Sequence, residues 1–84
     1  MAVTVLYFAS LREAVGLSRE ELAVEPGATI GAVVEALRAR SAGWADAFAP
    51  GKAWRVAVNQ QMASLGTALK AGDEVAFFPP VTGG

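Results

Sequence analysis

Residues 29–40, TIGAVVEALRAR, carry the reading from which the fold follows. Ile30, Val33, Val34 and Leu37 recur at i, i+3, i+4 and i+7, so one stripe of a helix is apolar while Glu35, Arg38 and Arg40 face away from it. Thr29 stands where a side-chain oxygen caps the first turn. This is the longest helix the sequence predicts, and its apolar stripe has to be covered by another layer.

Strands are predicted on both sides of it. Upstream, AVTVLYFA (residues 2–9) is a near-continuous β-branched, aromatic and aliphatic run, as in a buried strand. Ser10-Leu11-Arg12-Glu13 then has the form of a capping box for a short helix that Gly16 stops. REELAVE (19–25) places Leu22 and Val24 on one face of a second strand, and Pro26-Gly27 turns the chain. Downstream, residues 43–52 predict a short helix and loop ended by Pro50-Gly51. WRVAVN (54–59) alternates as a third strand, residues 61–63 allow a brief fourth, and Glu74 to Phe78 form the last, entered through the turn Lys70 to Asp73 and stopped by Pro79.

The order is strand, short helix, strand, long helix, strand, brief strand, strand. It predicts an α+β protein with a single mixed sheet and one long helix packed across a face, the β-grasp or ubiquitin-like architecture, with the first and last strands parallel near the sheet centre. The expected division is one domain over residues 1–78 and a flexible tail over 79–84.

Composition narrows the function. Of the 84 residues 54% are apolar and 18% charged, enough core formers for one compact domain. Seven basic against eight acidic residues give a net charge of −1, without the basic run that would track phosphates, so nucleic acid is not an expected partner. There is no cysteine and no histidine. The serines therefore lack a base for serine-type hydrolysis, and no thiolate or imidazole can hold a metal, so no metal site is expected. Gly51-Lys52 is not a phosphate loop, because Asp46 occupies the position of its first glycine and Ala53 that of its Ser or Thr. The acidic pairs Glu20-Glu21 and Asp73-Glu74 are expected on solvated strand edges and turns, and Trp44, Phe48 and Trp54 in packing. With no signal segment and no apolar run long enough for a membrane span, the expected location is the cytoplasm, away from any membrane.

The chain ends FFPPVTGG (77–84). A strand cannot continue through Pro79 and Pro80, and two prolines stiffen the exit and project the chain from the body. Alternation sends Phe77 and Phe78 to opposite faces, so if Phe77 enters the helix-packed core then Phe78 lies on the open face, where an exposed phenylalanine suggests a docking surface. Val81 and Thr82 follow, and Gly83 and Gly84 carry no side chain, so they can pass a narrow slot. Such a shape delivers the terminal carboxylate into another protein's pocket. A carboxylate becomes an electrophile only once its oxygen is made a leaving group, as in an acyl-adenylate. This chain has no nucleotide site, so a second protein must activate it; sulfide transfer could then leave a nucleophilic thiocarboxylate.

VLYFASLREAVG (5–16), AVNQ (57–60) and above all GDEVAFFPPVTGG (72–84) are similar to the small-subunit family of molybdopterin synthase, and the likeness spans essentially the whole chain. The resemblance implies a non-catalytic sulfur-carrier subunit of a sulfurtransferase complex, inactive alone, whose Gly84 bears the thiocarboxylate and supplies sulfur for the dithiolene of molybdopterin. It implies a large synthase subunit as partner, in a heterotetramer, and an adenylyltransferase related to the ubiquitin-activating enzymes, which uses ATP and magnesium; no cofactor is bound by this chain. Carried over by position, Phe8, Met62 and Phe78 match apolar contacts with the large subunit and Arg12 a charged one. Met62 replaces an expected leucine, a cheap exchange at an apolar contact. Alternation alone leaves Phe8 open between that role and the core. A carrier for another pathway such as thiamin, and a modifier conjugated to lysine, share the terminal Gly-Gly and remain alternatives.

Overall fold

The structure, a computed structural model, describes residues 1–80. It holds five strands and three helices in the order β1 (Ala2–Tyr7), α1 (Ala9–Val15), β2 (Arg19–Ala23), α2 (Ile30–Arg38), α3 (Ala42–Ala47), β3 (Arg55–Val58), β4 (Gln61–Met62) and β5 (Glu74–Phe78). The strands form one mixed sheet in the order β2-β1-β5-β3-β4. β1 and β5 are parallel and adjacent, as the sequence predicts, and the other pairings are antiparallel.

One face of the sheet carries the core. Val3, Val5 and Tyr7 of β1, Val56 of β3 and Val75 and Phe77 of β5 meet Leu11, Ala47 and the four expected residues of α2, Ile30, Val33, Val34 and Leu37, all buried. Each large side chain so enclosed stabilises the fold by roughly 1.5–3 kcal/mol before entropy is counted. Thr29 caps α2 as expected, its Oγ1 accepting from the Ala32 N–H at 3.2 Å. The residues between α3 and β3 close the core with aromatics: Phe48 meets Phe77 edge-on at 5.0 Å between centroids, and Trp54 meets each of them at 5.5 Å.

Several boundaries differ from the sequence reading. Ser10 does not cap α1. β1 ends at Tyr7, the Phe8 carbonyl accepts from the Leu11 and Arg12 N–H groups, and the corner is turned at Ala9 with φ 51°, so the helix starts before the capping box and no side chain caps it. Gly16 does end it, in the left-handed conformation that glycine adopts without strain. β2 stops at Ala23, although Val24 still exchanges hydrogen bonds with Met1. β3 and β4 are each shorter than expected; β3 ends at Val58 because Asn59 and Gln60, at φ 50° and 69°, make the two-residue turn that joins it to β4.

Candidate functional site

The parallel pairing of β1 and β5 decides what surrounds the exit of the last strand. Tyr7 lies opposite Phe77, and the Phe8 N–H donates to the Phe77 carbonyl at 3.1 Å, so Phe8 runs on beside Phe78. Both side chains point away from the helices by alternation. Phe8 is exposed, which resolves its role against the core. Arg12, one helical turn from the Phe8 carbonyl, is also exposed. Phe78 departs from the expectation of a freely exposed ring: it is half-buried at the sheet's centre. Pro79 and Pro80 are half-buried too, lining a cleft with Leu11 and Ala14 of α1 and with Trp54. The prolines thus leave along the body's surface rather than clear of it. The expected tail residues Val81, Thr82, Gly83 and Gly84 lie outside the described residues.

The rest of the open face joins this exit. Met62 pairs with Ala57, which pairs with Ala76, so Met62 shares the face with Phe78 and stands exposed at the edge. Phe8, Met62 and Leu65 are the exposed large apolar side chains among the described residues. Leu65 had no sequence signal, because one apolar residue in the turn Ser64–Thr67 follows no period. Its carbonyl accepts from the Gly31 N–H at 2.8 Å, and a Cβ on Gly31 would come within 3.2 Å of that oxygen, so the loop rests closely on α2 and a side chain there would have to push it back by a few tenths of an ångström.

Electrostatics at the core's edge contradict one expectation. Glu20 is not a solvated strand-edge charge: it accepts two hydrogen bonds of 2.7 Å from Arg40 and one of 2.7 Å from the Tyr7 hydroxyl. The Arg40 hydrogen bonds hold the Glu20 carboxyl below its usual pKa, and Glu20 in turn raises that of Arg40. Burial, then the bond to Glu20, pushes the Tyr7 phenol far above its ordinary range. Asp73 closes the turn before β5 by accepting from the Lys70 N–H and the Asn59 side chain, which keep its carboxyl low. Among the described residues no group of acidic side chains is placed to hold a metal ion, and no helix is long and apolar enough to cross a membrane.

A mixed sheet wrapped on one face by a central helix, with its middle strand leading to the chain end, defines a ubiquitin-like protein of the β-grasp class. The chain belongs to the ThiS family, which it matches over residues 5–84. It is 46% identical over 82 residues to the molybdopterin synthase sulfur carrier subunits of Haemophilus influenzae and Escherichia coli, covering 98% of this chain and 99% of each relative. Among solved structures it is similar to SAMP1, a small archaeal modifier protein, from Haloferax volcanii, with a TM-score of 0.82, 32% identity and both chains fully covered. It also resembles, at a TM-score of 0.70 and 25% identity with 100% of both chains covered, a chain in the protein–protein complex of subunits 1 and 2 of molybdopterin-converting factor from Helicobacter pylori.

Proposed function

We propose that this chain is the sulfur-donating small subunit of a molybdopterin synthase, acting in the cytoplasm. The observation that carries the reading is the 46% identity with two sulfur carrier subunits over 98% of this chain, together with a family match that runs to residue 84. The geometry supports it: the strand that leads to the terminus ends at Phe78 beside the exposed Phe8, on the face that carries Met62 at its edge.

In this account the described body docks and the terminus reacts. A ubiquitin-activating-like adenylyltransferase, using ATP and magnesium, lets the Gly84 carboxylate attack the α-phosphate and release pyrophosphate. Sulfur at the sulfide level then attacks the acyl carbon and displaces AMP, leaving a thiocarboxylate. Its sulfur, largely ionised at neutral pH, attacks a carbon of the acceptor in the large subunit's pocket and displaces an oxygen leaving group from it; water then hydrolyses the resulting thioester at its acyl carbon, returning the Gly84 carboxylate and leaving a thiol on the acceptor for the dithiolene. Gly83 and Gly84 fit a slot no side chain could pass, with Pro79, Pro80, Val81 and Thr82 seating the tail. The chain brings no cofactor and has no activity alone; two small and two large subunits make the complex.

The likeness to a small archaeal modifier protein favours a second reading, conjugation of Gly84 to lysine. Reconstitution separates the two. Incubation with the activating enzyme, ATP, a sulfide source and the large subunit loaded with precursor should yield molybdopterin, and deletion of Gly84 should abolish it while leaving the fold intact. Product formation by the truncated protein would overturn the proposal.

A further inference from the structure

The register draws one row of side chains across all five strands of the open face. Arg19 lies opposite Leu6, Leu6 opposite Ala76, Ala76 opposite Ala57 and Ala57 opposite Met62. Cross-strand partners share a face, so the row is apolar in its middle and carries a cation at the β2 edge. In the next row toward the strand exit Arg55 lies opposite Phe78. In the row on the other side, Thr4 lies opposite both Glu21 and Glu74. The face is therefore polarised along the strands, with arginines flanking the apolar centre near the exit and carboxylates at the far end.

Among the described residues these arginines are uncommitted. The ion pairs among the described residues engage Arg38, Arg40 and Lys52, whereas Arg19 and Arg55 are exposed and form none. Interfaces set an apolar centre inside a polar rim, and rim charges govern approach and register more than lifetime.

We propose that Arg19 and Arg55 are specificity-determining contacts of the open face, selecting a partner surface that is apolar at its centre and acidic where it meets the exit end of the sheet. Resting on the function proposed above, that partner is the large synthase subunit. A second copy of this chain turned end for end would also match charge, but it would lay its acidic end over the strand exit that sulfur delivery needs open.

The test is binding of the full-length chain to the large subunit of its own source, at low and at high salt. Arg19→Glu with Arg55→Glu should weaken binding about tenfold or more at low salt, mainly through the association rate, and the deficit should shrink as salt screens it. Lys70→Glu, a charge reversal in the turn at the acidic end, should leave binding unchanged. Equal affinity for wild type and the arginine double variant overturns the inference while leaving the proposed function standing, as does an equal loss from Lys70→Glu, which would be a net-charge effect. Self-association of the chain that Arg55→Glu abolishes would assign the face to a second copy instead. A wild-type chain that binds no large subunit overturns the inference and the proposed function together.

Discussion

Arg40 grips Glu20 through two hydrogen bonds of 2.7 Å, and the same Glu20 oxygen that accepts from Arg40 Nη1 accepts the Tyr7 hydroxyl at 2.7 Å. The guanidinium also lies 4.6 Å from the centre of the Trp44 ring, so strands β1 and β2 are fastened to the segment joining α2 and α3. Glu20→Gln should destabilise the fold by about 1–2 kcal/mol, because it replaces charge-assisted bonds with neutral ones and leaves Arg40 without its counter-charge. Urea unfolding at neutral pH measures the loss.

Acid should act through the same group. The carboxyl of Glu20 has its pKa lowered by folding, so its contribution is complete above the ordinary carboxylate pKa of about 4.3 and fades as pH falls toward the depressed folded value. The stability difference between wild type and Glu20→Gln should narrow across that window. A difference constant down to pH 2–3, taken as an approximate limit, would contradict this linkage.

Tyr7 is the protein's single tyrosine, which makes its ionisation directly visible. Folding raises its pKa, so the stabilisation is present below the ordinary phenol value of about 10 and is lost as pH rises above it. Ultraviolet titration should show no tyrosinate until the protein unfolds, with the two transitions coinciding. Tyrosinate formation in the folded protein near pH 10, roughly the free value, would show that the hydroxyl is not buried against Glu20.

The turn between β3 and β4 offers a stabilising change. Asn59 and Gln60 both have positive φ, and Asn59 also accepts from the Glu74 N–H at 3.0 Å. Glycine at the second position removes the Cβ strain of that conformation, so Gln60→Gly should stabilise by about 0.5–1 kcal/mol. The midpoint of denaturation should rise with an unchanged slope.

Core and docking residues should separate cleanly. Phe77 is fully buried, and Phe77→Ala should cost about 3–5 kcal/mol. Phe8 and Met62 are 45% and 66% exposed. Their alanine variants should keep near-wild-type stability and weaken binding to the large subunit by about tenfold or more, if they form its apolar centre.

What the sequence disclosed follows from periodicity. The α2 stripe, the Thr29 cap, the Gly16 stop and the whole of β5 were legible because each is written in neighbouring residues. The early start of α1 was not, since the Phe8 carbonyl recruits two N–H groups before the Ser10 signal can act. Nor was the role of Glu20, whose partner Arg40 is twenty residues away and is brought to it only by the packing of α2. Phe8, Met62 and Arg12 were placed by resemblance; the structure adds that Phe8 lies beside Phe78 because β1 and β5 are parallel. Arg19 and Arg55 gain meaning only once the register sets them on the open face, and Leu65 only once its loop docks on α2.

The most direct test of the account is the intact mass of the protein after incubation with its activating enzyme, ATP and a sulfur donor. The account predicts a gain equal to exchanging one oxygen for one sulfur, lost on deletion of Gly84 and reversed when the large subunit and precursor are added. An unchanged mass, with the chain recovered instead on lysine side chains of other proteins, would contradict it.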